Sequence, residues 1–487
     1  MATNGTGNGS FTNPWALQVA MTNTAIQGGD TVWLRNGTYE PPMPDSTNQP
    51  WSRYMQYYPG WRINGVSGTN FITYRSYTNE WAAIDDPILL GSPVRFRDLE
   101  FFNSMKGVRY NTNDLSQNGD FNAVYGQFIA SATNEWINCV IHDIDGTGCS
   151  TISKMRGCIL WYVAWNYREH VFYPMIGDFS GNICAWPLNR TLNNSVADYI
   201  CNSNIIFGSG IQWVTNVSAG KTNGNGNSAE SDVDLAPSGN NGTIIGNVDI
   251  GSVAPLSGSG NAGSVISNNI FCCATEPVSW SSPSNSVFSF NTIYSTEQHG
   301  QVLVVNTSAS NLEDYNSYYV PATNSSIIWK NASQGYAAFF SLGAWQTNSG
   351  YDSHSTVAFS LPPDTVRVMV NADQAKRCNI AICNWSLKDN VAVNLSGVLN
   401  SGDAYQLYSA QNYLAGPIQT GTYNGTNIIV PMTNLTTAPI LYGTNVNRWG
   451  EEVAQPPPMS PEFGAFVVIG STQVPLPPNK FRVLSSP

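Results

Sequence analysis

The segment Ala229-Glu230-Ser231-Asp232-Val233-Asp234-Leu235 alternates small or apolar residues with acids. Read as a strand, it sets Glu230, Asp232 and Asp234 on one face, with neighbouring carboxyls about 7 Å apart. That spacing falls in the range used by a carboxyl pair that cleaves a glycosidic bond. Crowded acids raise one another's pKa, so one can keep a proton as general acid while its partner stays ionised. The preceding Asn223-Gly224-Asn225-Gly226-Asn227 gives the backbone freedom to admit a substrate. A solvated acidic face is the plain alternative.

A second cluster is Trp161-Tyr162-Val163-Ala164-Trp165-Asn166-Tyr167-Arg168-Glu169-His170. Arg168, Glu169 and His170 form the other catalytic candidate set, in which Arg168, His170 or Tyr167 can take a proton as general base. Trp161, Trp165 and Tyr167 offer aromatic faces on which a substrate ring can stack. Interior packing with a surface Arg-Glu pair explains the same residues. A third group, His142-Asp143-Ile144-Asp145, lies where a strand gives way to the turn Gly146-Thr147-Gly148, and a structural Asp turn accounts for it equally.

These residues need a scaffold, and composition narrows the choice. In 487 residues only 11% are charged, while 15 Trp and 23 Tyr supply material for a large β-rich core. A net charge of -11 leaves no basic footprint for nucleic acid, so no nucleic-acid partner is expected. No long apolar span predicts membrane insertion, and Met1 leads into polar Ala2-Thr3-Asn4-Gly5 rather than an export signal. Nine cysteines without a C-x-x-C pair, and four scattered histidines, predict no metal centre of the zinc type. The cysteines read as small apolar residues in a core, with Cys272-Cys273 and Cys378 with Cys383 as redox alternatives.

The architecture follows from a repeat. Short apolar runs each carry an Asn, at Asn138, Asn182, Asn204, Asn247, Asn269, Asn291 and Asn316, separated by 44, 22, 43, 22, 22 and 25 residues. One or two multiples of 22 suit one coil of a β-solenoid, whose strands pair in parallel with the coils above and below. The seven Asn side chains are expected to stack as one ladder at a turn, and Ile270 is expected to face the interior. Asn13-Pro14-Trp15-Ala16-Leu17-Gln18-Val19-Ala20-Met21 predicts a capping helix, with Asn13 as its cap and Pro14 at its first position.

Gly29-Asp30-Thr31-Val32-Trp33-Leu34-Arg35-Asn36-Gly37-Thr38-Tyr39 resembles the opening motif of bacterial right-handed parallel β-helix proteins of the pectate-lyase-like kind. Ser341-Leu342-Gly343-Ala344-Trp345-Gln346-Thr347-Asn348-Ser349-Gly350-Tyr351-Asp352-Ser353-His354-Ser355 resembles a stretch near the end of such helices. Beyond Pro362-Pro363, short strands at Val366–Val370, Asn379–Trp385, Val391–Leu395, Ala404–Tyr408, Asn427–Val430 and Ala465–Ile469 predict a β-sandwich. It resembles the accessory domains of carbohydrate-active enzymes, with capping the solenoid as its plainest role. The expected chain is all-β: a cap at 1–28, a right-handed parallel β-helix at 29–360 and a β-sandwich domain at 361–487.

The resemblance implies a protein that binds, and in its enzymatic members cleaves, polysaccharide or a cell-surface glycan by lyase or glycosidase chemistry. No cofactor is required, and Ca2+ is a candidate ligand of Glu230, Asp232 and Asp234. It also implies an extracellular protein or a virion-surface one, the latter as a homotrimer or attached to a larger particle like a phage tailspike. A purely structural or adhesive solenoid is the third reading.

Overall fold

The computed structural model describes residues 6–39, 70–85, 93–102, 134–144, 152–163, 175–186, 192–194, 198–207, 233–237, 240–252, 254–259, 262–273, 277–281, 284–295, 301–305, 310–321, 328–331, 334–335, 337–441, 456 and 461–470. The chain is mostly β and builds a right-handed parallel β-helix followed by a β-sandwich. It divides into two units, residues 1–167 with 365–487 and residues 168–364.

In the first unit, Thr31–Leu34, Ile72–Ser76, Val94–Arg97, Glu135–Ile137 and Ile152–Arg156 pair in parallel as one sheet. Gly37–Tyr39, Ala82–Asp85, Glu100–Phe102, Val140–Ile144 and Ile159–Val163 pair as a second. Alternation points Tyr74, Phe96, Trp136 and Met155 of the first sheet inward in one buried column, where Phe96 and Trp136 meet at 4.6 Å between ring centroids. Phe101 of the second sheet closes on Trp136 at 4.7 Å, which joins the two sheets through one aromatic core.

The opening motif supplies the first rung of each sheet. Arg35 donates through Nε to both carboxylate oxygens of Glu80 at 2.8 Å, and Tyr39 donates its hydroxyl to the Arg35 carbonyl at 3.0 Å. The helix ahead of it is shorter than expected, Leu17–Thr22, and buries Leu17, Ala20 and Met21. Asn13 is not its cap. Asn13–Trp15 is a strand paired with Thr6–Ser10, and Ala16 stands in the cap position without a side-chain bond. Pairing of Asn13 with Ser10 extends the strand through Trp15, so the helix starts only after it.

The second unit has three faces. Its first sheet joins Met175–Ser180, Ile200–Asn202, Thr243–Ile245, Val265–Ser267, Val287–Ser289 and Leu312–Asp314. A second joins Ile183–Ala185, Ile205–Phe207, Val248–Ser252, Ile270–Cys273, Thr292–Ser295, Ser317–Tyr319 and Thr356–Ala358. The third runs from Leu192–Asn194 through Val233–Pro237, Ala254–Ser259, Val278–Ser281 and Gln301–Val305 to Ile328–Asn331. Tyr318 of the second sheet packs edge-on against Trp329 of the third, so the column that contains Tyr318, Ile293 and Phe271 faces inward. Ile270 is buried, as expected, next to Phe271 on a strand with no exposed residue.

Six of the seven repeat asparagines form the ladder, all within this unit. From Asn204 onward each Oδ1 accepts from the backbone N–H and the Nδ2 of the Asn one coil earlier, as when Asn269 receives Asn247 at 2.9 and 3.0 Å. The same paired bonds link Asn182 to Asn204, Asn204 to Asn247, Asn269 to Asn291 and Asn291 to Asn316. The residue before each rung turns the chain at positive φ: Gly181, Ser203, Gly246, Asn268, Phe290 and Tyr315. Asn138 departs from the expected ladder. In its own unit it occupies the positive-φ position itself, with Asp98 and Gly157, and the next residues are Leu99, Cys139 and Cys158.

The closing motif ends the ladder. Asp352 accepts from Asn316 Nδ2 at 3.2 Å, the Tyr318 hydroxyl at 2.9 Å, Trp345 Nε1 at 3.0 Å and the Ser355 hydroxyl. Ser355 Oγ in turn accepts the Asn316 backbone N–H at 2.8 Å. The helix Leu342–Ser349, capped by Ser341 and stopped by left-handed Gly350, delivers Trp345 to this buried carboxylate.

The C-terminal sandwich opposes a five-stranded antiparallel sheet to the pair Asn390–Val393 and Ile428–Pro431. In the larger sheet Phe463–Gly470 lies between Arg377–Cys383 and Ala404–Ser409, and all eight of its residues are buried. Gln419–Thr422, which no apolar run announces, is an edge strand of that sheet. The domain reaches back to three successive turns of the first unit. Arg97 donates to the Asp373 carbonyl at 2.7 Å, Asn371 Nδ2 to Asn138 Oδ1 at 2.8 Å, and Arg377 to the Gly157 carbonyl at 2.9 Å. Contact with consecutive coils places it along their flank, where a cap would have sat over an end. A Cβ on Gly157 would fall 2.3 Å from both Asn138 Oδ1 and Asn371 Nδ2, so this seat requires glycine.

Candidate functional site

The outward columns of the first unit's first sheet carry its charge. One runs Trp33, Arg75, Arg97, Ile137, Arg156, and the other Thr31, Thr73, Arg95, Glu135, Lys154. In-register neighbours stand about 4.8 Å apart from coil to coil, which brings like charges close and demands carboxylates between them. Asp98 serves two cations, with Arg75 at 2.6 Å and Arg97 at 3.4 Å. Glu135 serves two more, with Arg95 at 2.6 Å and Lys154 at 2.8 Å. Arg156 stands 3.9 Å from Asp373. Burial alone would raise the Glu135 pKa, but Lys154 and Arg95 hold it below the ordinary carboxylate range.

Four of these cations thus share two carboxylates, Asp98 and Glu135, on one face of a chain with net charge -11. The cationic side chains stay a quarter to a third exposed. Aromatic rings border them. Trp33 is 45% exposed with the Arg75 guanidinium 5.0 Å from its ring, and Arg95 lies 4.6 Å from the ring of Phe71. The arrangement offers guanidinium forks to a carboxylate or sulfate and an indole face to a sugar ring.

His142 and Asp143 occupy a different, buried setting. His142 Nδ1 lies 2.6 Å from Asp143 Oδ2 and its Nε2 3.1 Å from Glu100 Oε1, while Trp81 Nε1 donates to the other Glu100 oxygen. The imidazole is stacked between Phe102 at 5.5 Å and Trp161 at 4.5 Å. Burial opposes its charge, but Asp143 and Glu100 prevail and move the His142 pKa up to about 9. Asp143 Oδ1 also accepts the Leu441 backbone N–H at 3.1 Å, and Tyr162 donates its hydroxyl to the Ala438 carbonyl at 2.7 Å, so this cluster pins the C-terminal domain.

Trp161 is 1% exposed and presents no open face for a sugar. Trp165, Tyr167, Arg168, Glu169 and His170 lie outside the described residues, as do Glu230, Asp232 and Asp145. Asp234 is on the strand Val233–Pro237, whose backbone alone is described. Among the described residues no group of three or more His, Cys, Asp or Glu is arranged to hold a metal ion. The cationic face was not anticipated, although Val94-Arg95-Phe96-Arg97 shows the alternation that produces it. No family model matches the chain, and no curated protein matches it.

Proposed function

We propose that this protein is an extracellular or virion-surface β-helix that binds an acidic polysaccharide across Trp33, Arg75, Arg95, Arg97, Lys154 and Arg156. The observation that carries the reading is the in-register column of cations, with Asp98 and Glu135 each shared between two of them, beside an exposed indole. Lengthy duplex nucleic acid is disfavoured by the repulsion of a strongly acidic chain, whereas a flexible uronate chain can follow a single narrow face.

The test is affinity electrophoresis and calorimetry of the full chain with polygalacturonate, alginate and neutral dextran. The acidic polymers are expected to bind in a manner weakened by salt, which any binding of dextran would not share. Arg75→Gln with Arg95→Gln should weaken acidic binding by about tenfold or more, since each charge-assisted bond contributes roughly 1.5–3 kcal/mol before solvent screening. Circular dichroism of the double variant should match the parent, because Arg97 and Lys154 still pair Asp98 and Glu135. Parental affinity for the acidic polymers in that double variant, or preference for DNA, would sink the reading. Cleavage belongs to a separate arm: if a bound polymer is degraded, Glu230→Gln, Asp232→Asn and Asp234→Asn should each be assayed, with a loss of about 10²-fold expected at a true acid or nucleophile.

A further inference from the structure

A second face, in the other unit, has a different chemistry. Phe290, Tyr315 and His354 stack in sequence, with centroids 5.1 and 4.8 Å apart and planes within 10° and 5° of parallel. Phe290 is 58% exposed, Tyr315 47% and the His354 side chain 61%. Phe290 and Tyr315 sit at φ 58° and 60°, positions that their neighbours along the column fill with Gly, Ser or Asn. Bulky aromatic residues are disfavoured in that region, and burial does not repay these two.

The stack is built to stay in place. Asp314 Oδ2 lies 2.7 Å from His354 Nδ1 and accepts the Ser353 hydroxyl at 3.0 Å, while Asp314 Oδ1 accepts the His354 and Tyr315 backbone N–H groups at 2.6 and 2.9 Å. With Nδ1 engaged by Asp314, Nε2 is the ring nitrogen left for a further hydrogen bond. Tyr315 is covered on both faces, whereas the outer faces of Phe290 and His354 meet no ring among the described residues. Leu312, 55% exposed, extends the apolar surface beside them. No Lys or Arg pairs with Asp314 among the described residues, unlike the arginine-rich face of the first unit.

We infer that Phe290, Tyr315 and His354 form a second saccharide site, one that takes a neutral pyranose against this exposed ring stack and a sugar hydroxyl at His354 Nε2. A pyranose fits because its C–H face is apolar and its rim is polar, the combination matched by fixed rings beside one oriented ring nitrogen. The site is independent of the acidic-polysaccharide reading and fails or stands by itself.

The full chain would be applied to an array of neutral oligosaccharides with gluco, manno, galacto and xylo backbones, followed by calorimetry on those retained. Binding should survive a rise in NaCl from about 0.05 to 0.5 M, a range that screens exposed charge, and it should survive Arg75→Gln with Arg95→Gln. Phe290→Ala and His354→Ala should each weaken it by about tenfold or more, and His354→Phe, which keeps a ring and loses the hydrogen-bonding nitrogen, should fall between parent and His354→Ala. Retention of no neutral sugar, or parental affinity in both alanine variants, overturns the inference. So does a change of sedimentation in those variants without a change in sugar binding, which would make the face a contact between copies of the chain.

Discussion

Asn269→Leu is expected to lower the stability of the second unit by roughly 3–5 kcal/mol, because the new side chain fills the space and makes none of the bonds. Asn247 would lose the acceptor of its backbone N–H and of one Nδ2 proton, and the Ile244 carbonyl would lose the donor now 2.9 Å away. All of these groups are buried, so water cannot replace the missing partner without opening the coil. Asn268→Gly is the control: Asn268 is exposed at φ 58°, a conformation that glycine adopts freely, so its unfolding midpoint should stay near the parent's. Urea unfolding followed by tryptophan fluorescence separates the two. A parental midpoint for Asn269→Leu would mean that the ladder decorates the coils without holding them.

That ladder is also why the solenoid could be read from the chain. A buried rung must present the same amide at the same place in each coil, so the residue recurs with the coil length and survives insertions as a doubled interval. Asn138 satisfied the spacing for another reason. A left-handed turn residue is often Asn as well, and this one turns outward to bond Asn371 and Gln374 of the sandwich. The cationic face was harder to see because its column is broken by coils of unequal length: Trp33, Arg75, Arg97 and Arg156 are 42, 22 and 59 residues apart. Pairing aligns them in space while the sequence gives no period. The acids at 230–234 drew attention because their alternation is compressed into one segment. The rings of Phe290 and Tyr315 stand at turn positions where a pattern reading expects small residues, so only the backbone angle exposes them as unusual.

Stability is expected to fall on the alkaline side, through two buried groups in separate units. His142 has an ordinary pKa near 6.5 and a native one of about 9, so the folded protein holds this proton more tightly than the unfolded chain. Its contribution, roughly 2–3 kcal/mol, is complete below about pH 6.5 and is lost as pH rises through about 9. Glu313 acts in the same direction from a lower starting point. Burial raises its pKa well above the ordinary 4.5, and the Asp352 carboxylate, to which it is hydrogen-bonded, and nearby Asp314 push the same way. The native state therefore favours its protonated form, and stability present in full below about pH 4.5 declines as pH climbs toward the raised value. Glu313→Gln supplies a neutral amide that can donate to Asp352 without a proton to lose. It should approach the parent's urea midpoint at pH 5 and exceed it above about pH 8, while His142→Gln should be weaker than the parent at pH 6 and change less between pH 6 and 9. A parent whose midpoint is flat or rising from pH 6 to 10, or a Glu313→Gln variant that tracks it throughout, would show that the buried carboxyl at the end of the ladder is not storing a proton.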